Sequence, residues 1–200
     1  RTTFVGTQAG SDMVGGANNT AIGYGSLGGA ADATADDSHN NTFIGNTAGG
    51  GAWVTATSNW NVGIGSLSMD DAMNGAIANT SIGYKSLTKL ISGHYNTAIG
   101  YEAMQECLSG NANVAIGTQA LNDCNTGINN VGIGQYAGDR IQTGSSNTYI
   151  GYHADASADD VTSEIVIAAT SSTLNGAGTE TIRIGLSSDY ITNDFGENAT

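Results

Sequence analysis

Apolar and polar residues alternate in short bursts along this chain, and each burst ends at a glycine. Asn96-Thr97-Ala98-Ile99-Gly100-Tyr101-Glu102-Ala103-Met104 is one such burst, and near copies return along almost the whole sequence. With the glycine as origin, the copies fall at Gly6, Gly23, Gly45, Gly65, Gly83, Gly100, Gly117, Gly134, Gly151, Ala168 in the same role, and Gly185. The intervals are 17, 22, 20 and 18 residues, then 17 throughout. A fixed period of this kind is the signature of stacked structural units. It predicts an all-β fold, a parallel β-solenoid of eleven 17-residue coils over residues 1–188. Residues 189–200 lack the repeat and read as a connector to a further C-terminal region.

The columns of the repeat predict how a coil is built. Immediately before the glycine stands an aliphatic residue in every coil, from Val5 and Ile22 to Ile167 and Ile184. Two residues earlier every coil has a β-branched residue, from Thr3 and Thr20 to Ile165 and Ile182. The residue between them varies widely, through Phe4, Ala21, Phe43, Gly63, Ser81, Tyr149, Val166 and Arg183. Period-two alternation with stiff β-branched residues on one side describes a short strand with that side packed. The variable position, including Phe4, Phe43, Tyr149 and Val166, is then expected to face outward, where a neighbouring subunit in a side-by-side trimer would cover it.

Three residues after the glycine the chain is always Ala or Ser, as at Ala9 and Ala103, which predicts a tight corner. Four residues before it, Asn19, Asn41, Asn61, Asn79, Asn96, Asn113, Asn130 and Asn147 form a column. Amides stacked at about 4.8 Å, the spacing between strands, bond to the copies above and below, and Asn tolerates turn geometry. A structural ladder is expected, with a ligand-binding ladder as the other reading. A turn signal recurs about ten residues after each glycine, at Ser92-Gly93, Ser109-Gly110, Thr126-Gly127 and Thr143-Gly144, where glycine is expected to supply unusual backbone angles. Seven residues after the origin, Met13, Ala30, Ala52, Ala72, Leu90, Cys107, Cys124 and Ile141 predict an inward column.

Composition suits a narrow coil: 30 Gly, no Pro, 6% aromatic and 12% charged residues. The formal charge of −13, from 5 Lys+Arg against 18 Asp+Glu, argues against nucleic acid and anionic membranes as partners. No apolar run approaches the roughly 20 residues of a membrane helix, and no signal peptide is evident. A chain that opens at Arg1 with no Met reads as a fragment or processed product.

The search for chemistry returns no catalytic constellation, so no enzyme activity and no cofactor are expected. His39, His94 and His153 do not stack in adjacent coils as metal ligands. The Ile-Gly copies have no following helix to bind phosphate. Asp36-Asp37, Asp70-Asp71 and Asp159-Asp160 lack the spacing of calcium loops and read as a solvated acidic face. Asn-x-Thr or Asn-x-Ser matches at Asn18, Asn40, Asn79 and Asn198 follow, in the first three, from the Asn and Thr columns. Cys107 and Cys124 lie one period apart; buried thiols and a disulfide between stacked coils both fit, and neither is catalytic on an apolar face.

One region breaks the regularity. The longest insertions fall in coils two and three, and both tryptophans, Trp53 and Trp60, lie there near His39, Asp36 and Asp37. Insertions in a solenoid emerge as loops on one side, often the binding side. These five residues are the candidate lateral patch for a cell-surface glycan or receptor; the alternative is that the tryptophans plug a widened coil or sit at a subunit contact.

The Asn-Thr-Ala-Ile-Gly-Tyr repeats, such as residues 19–27 and 96–104, followed by Glu164-Ile165-Val166-Ile167 and Thr181-Ile182-Arg183-Ile184-Gly185, resemble the shafts of phage tail-fibre proteins. The resemblance covers roughly residues 2–188, with Ala168 in place of Gly a late departure. The same motifs are similar to the heads of trimeric autotransporter adhesins. The resemblance implies a homotrimeric fibre used for attachment, located on a virion, and transfers no catalytic residue. A bacterial surface adhesin or self-assembled extracellular filament is the alternative, and a polysaccharide-cleaving enzyme on a solenoid scaffold the least favoured reading.

Overall fold

The computed structural model describes residues 1–11, 13, 15–28, 38–51, 53, 56–71, 73–168, 173–185 and 190–194. Successive three-residue strands stack in chain order: β1 (Thr3–Val5), β2 (Thr20–Ile22), β3 (Thr42–Ile44), β4 (Val62–Ile64), β5 (Thr80–Ile82), β6 (Thr97–Ile99), β7 (Val114–Ile116), β8 (Val131–Ile133) and β9 (Thr148–Ile150). β11 (Ile165–Ala168) and β13 (Thr181–Gly185) continue the same parallel sheet. The register pairs equal positions of the repeat, as in Thr97↔Val114, Ala98↔Ala115 and Ile99↔Ile116. The molecule is therefore a parallel β-solenoid with a predominant 17-residue spacing, its parallel strands spanning ten steps of about 4.8 Å, or about 50 Å. Among the described residues no helix is long and apolar enough to cross a membrane.

A second side of the coil stacks through isolated parallel bridges, Asn59↔Ile77↔His94 and Asn111↔Ile128↔Ser145↔Thr162. Near the C-terminal end β10 (Ala154–Asp155) pairs in parallel with β12 (Leu174–Asn175). β14 (Tyr190–Asp194) pairs antiparallel with β13 and covers the last edge of the main sheet, so the region set apart as a connector begins as a strand.

The alternation along each strand is present, but its faces are the reverse of the expectation. The middle residue points into the core: Ala21, Phe43, Ser81, Ala98, Ala115, Tyr149 and Val166 are fully buried. Of the four residues assigned to the outside, Phe43, Tyr149 and Val166 are thus interior, and only Phe4, in the first coil, is exposed. The β-branched and Ile columns face outward, with Ile22, Ile64, Ile82, Ile116, Ile133, Ile150 and Ile184 all exposed. The physical reason is width. Opposite the strand, the coil must also hold a small corner residue such as Ala103, a larger one such as Met104, and the inward column of Leu90, Cys107, Cys124 and Ile141, all buried. Two bulky aliphatic residues per strand would not fit beside them.

Volume is traded between the middle residue and the position six residues on. Ala21 goes with Leu27, Gly63 with Met69, Ser81 with Leu87, Ala98 with Met104 and Ala115 with Leu121. Where the middle residue is Phe the partner is glycine: a Cβ at Gly10 would stand 2.5 Å from the Phe4 ring, and one at Gly49 2.7 Å from the Phe43 ring. At Gly132, where Gly138 is also small, Tyr149 and Leu121 fill the space from the flanking coils. Interiors tolerate neither voids nor overlaps, and fully burying a side chain of the size of Met104 contributes about 1.5–3 kcal/mol. In the inward column Met13 is partly buried, and Ala30, Ala52 and Ala72 lie outside the described residues.

The corners rest on left-handed backbone. Residues two and four after the origin and five before it carry positive φ in successive coils, as at Glu102 (53°), Met104 (51°) and Tyr95 (60°). The glycines ten residues after the origin serve a different need from the one expected, since Gly93, Gly110 and Gly127 are not among the positive-φ glycines. They are required for space: a Cβ on Gly93 would lie 2.4 Å from the Gly110 carbonyl oxygen and 3.0 Å from the Asn96 amide nitrogen.

Candidate functional site

The Asn column is buried, from Asn19 to Asn147, and its amides are consumed by the fold. Asn96 shows the pattern. Its backbone N–H and its Nδ2 both donate to Asn79 Oδ1 at 3.0 Å, and its Nδ2 also donates to the Gly110 carbonyl at 2.7 Å. Its own Oδ1 accepts from the backbone N–H and Nδ2 of Asn113, each at 3.1 Å. Two donors and two lone pairs exhaust a carboxamide, so no capacity remains for a ligand. The column ends at Glu164, buried in the Asn position, whose N–H donates to Asn147 Oδ1 at 2.8 Å. Its carboxylate accepts from Gly178 N–H (2.8 Å), Ser157 N–H (3.1 Å) and the Tyr149 hydroxyl (3.2 Å).

The structure separates the residues of the expected lateral patch. Trp53 is 1% exposed; it packs edge-on against Phe43, with ring centroids 5.6 Å apart, and its indole N–H donates to the Gly49 carbonyl at 3.1 Å. This corrects its assignment as a ligand contact, because Trp53 fills the widened third coil above the Phe43–Gly49 pair. His39 is half-buried, and its Nδ1 accepts the Ala17 N–H at 2.7 Å, tying coil one to coil two. Asp36 and Asp37 lie outside the described residues. Trp60 alone of the described set stands free at the surface, 58% exposed.

What the structure presents instead is a continuous apolar face. The outward Ile column runs along the main sheet, and just past the glycines Tyr24, Tyr84, Tyr101 and Tyr152 widen it. Tyr84 and Tyr101 stack on each other with centroids 5.4 Å apart. Next to these, Tyr136 stacks on His153 at 4.6 Å, and Tyr152 meets His153 edge-on at 4.4 Å. Sequence reasoning missed this face because it placed the same Ile column in the core.

Charge gathers at the C-terminal end. Asp155 is almost fully buried, and burial together with the neighbouring Asp139 carboxylate pushes its pKa up to about 7. Its Oδ1 accepts from the Ala156 N–H at 2.8 Å and the Arg140 N–H at 3.3 Å, and its Oδ2 lies 3.8 Å from Arg140 Nε. Burial also raises Asp139 and Asp123. A surface cavity of about 300 Å³ opens nearby, lined by Asp123, Arg140, Gln142 and Asp159. Among the described residues no three His, Cys, Asp or Glu side chains converge as metal ligands. Cys107 and Cys124 are free and buried, and burial raises their thiols to about 12 and about 11, so they are neither nucleophiles nor ligands at neutral pH. No family model, curated protein or solved structure matches this chain.

Proposed function

We propose that this chain forms the shaft, or a receptor-contacting part, of a homotrimeric viral tail fibre, with the three solenoids packed in parallel through the outward Ile face. The observation that carries this reading is the length and continuity of that face. Isolated apolar residues on a surface need no explanation, but contiguous apolar patches beyond a few hundred Å² mark interaction sites. Here Ile or Val stands outward in successive coils, with stacked tyrosines beside it, over about 50 Å. Three copies meeting on such faces would bury them along a common axis, and the ladder of in-register coils would let each level of one subunit meet an equivalent level of the others.

The acidic surface is compatible with this arrangement, since charge on the outer faces opposes sideways aggregation while the apolar stripe is covered. Light scattering on the purified chain should give three times the 20.1 kDa chain mass. Replacing Ile99 and Ile116 together by Lys should give a folded monomer, with the β-rich circular dichroism of the parent. A monomeric parent sinks the reading, as does a trimer that survives the double substitution.

A further inference from the structure

The corner formed by the position five residues before each origin glycine has a composition that the fold does not account for. Before the glycines from Gly23 to Gly134 it reads Asn18, Asn40, Trp60, Ala78, Tyr95, Ala112, Asn129. The backbone is left-handed at each, with φ between 55° and 61°. Asn is the residue best suited to that conformation, and it stands at Asn18, Asn40 and Asn129, whereas bulky aromatic side chains adopt it only at a cost. Trp60 and Tyr95 nonetheless occupy it at φ 58° and 60°. Neither recovers the cost by burial, since they are 58% and 66% exposed, against 1% for Trp53. Exposed aromatic residues at a left-handed corner that Asn and Ala fill elsewhere in this run are an observation from which a function is properly inferred.

Their spacing specifies the ligand. Backbone bonds hold this corner in register from coil to coil, Trp60 N–H to the His39 carbonyl at 3.2 Å and Tyr95 N–H to the Ile77 carbonyl at 3.0 Å. Trp60 and Tyr95 are two coils apart, about 10 Å along the axis at the spacing of stacked strands. Ala78, between them, keeps the intervening level low. The His94 ring flanks Tyr95, with centroids 6.2 Å apart. Asn40 and Asn129, both exposed, bracket the pair about 24 Å apart and offer amides to hydroxyl groups.

We infer that this corner is a binding site for a neutral, β-linked polysaccharide lying parallel to the solenoid axis, with alternate sugar rings stacked on Trp60 and Tyr95. Two coil steps match the repeat of an extended chain in which every second ring presents the same face. Flat C–H faces of such sugars stack on indole and phenol rings, which supply large, rigid contact area at little entropic cost. Ala78 leaves room for the ring between. The net charge of −13 disfavours sulfated or uronate chains. The inference rests on the attachment reading above and names the class of receptor.

Cellohexaose and chitohexaose are the probes, titrated into the assembled protein by calorimetry and by tryptophan fluorescence, where Trp60 is the accessible indole and Trp53 is shielded. At least one probe is expected to bind and to shift Trp60 emission. Trp60→Ala and Tyr95→Ala are each expected to weaken binding tenfold or more and together to abolish it, with mass and Tm unchanged. Ala78→Asn suits the left-handed backbone but raises the intervening level, and is expected to weaken binding as well. Binding of neither probe overturns the inference, as does binding that the double variant leaves unchanged. A double variant that loses its assembly identifies the corner as a subunit contact and also overturns it. A trimer that binds no glycan would leave the fibre reading standing, whereas a monomer that binds would reject that reading and keep this site.

Discussion

At Gly100 the backbone has φ 141°, and a Cβ there would lie 2.4 Å from the carbonyl oxygen of Gly117 in the next coil. The glycine is thus fixed twice over, by a conformation closed to other residues and by contact with the neighbouring rung. Gly100→Ala is expected to cost at least about 1–3 kcal/mol from backbone strain alone. In a chain of this size each kcal/mol lowers Tm by roughly 2–4 °C, which calorimetry resolves. Ala168 is the instructive exception. There the strand runs straight through, β11 continuing to Ala168 and pairing it with Gly185, and Ala168 is not among the residues with positive φ. Ala168→Gly should therefore cost only about 0.5–1 kcal/mol, from added backbone freedom, and a loss there equal to that at Gly100 would contradict this account.

The strands and their register were legible in the sequence because the period aligns Thr on Thr and Ile on Ile, and a shift by one residue would turn every side chain over. The faces were misread, because β-branched residues next to a glycine look like a packed side when only the strand is considered. The signal that would have corrected the reading lies six residues away, where small Ala98 stands with large Met104 and large Phe43 with Gly49. A position whose size varies with that of a partner is interior, however variable it looks. The left-handed corners were not legible, since Leu67, Lys85 and Glu102 carry no preference for that conformation and adopt it because coil closure demands it. Of the two aromatic residues proposed to hold a glycan, the sequence singled out Trp60; Tyr95 sits in a coil of regular length and draws attention only once its corner is seen to align with Trp60. The ladder was read correctly in position, and its energetic weight follows from its bonds. Asn96→Ala would strand the Gly110 carbonyl and the Asn113 N–H in the interior, at about 1–3 kcal/mol for each group. Chemical denaturation should register that loss, and a change below about 1 kcal/mol would mean that water replaces the amide.

For the molecule as a whole, pH acts in the direction opposite to ordinary acid denaturation. Asp155, raised to about 7, binds its proton more tightly in the folded state than in the unfolded chain, and Asp139, Asp123 and Asp70 are shifted the same way. Between the ordinary carboxylate range near 4 and about 7 the folded state then holds more protons, so stability falls as pH rises through that window. Tm is expected to be higher at pH 5 than at pH 8, and Asp155→Asn should flatten the dependence; a Tm that drops steadily from pH 8 to pH 5 would contradict it. The Asn ladder has a mechanical consequence as well. Its bonds, like those of the strands, run from coil to coil, so tension along the axis loads the rungs in series, and the rung with the fewest bonds yields first. The ladder begins at Asn19 and stops at Glu164, leaving Thr2 and Thr181 in the terminal rungs without an amide. Under axial tension the rungs at Thr2 and Thr181 therefore yield before the amide-bonded stretch bearing Trp60 and Tyr95.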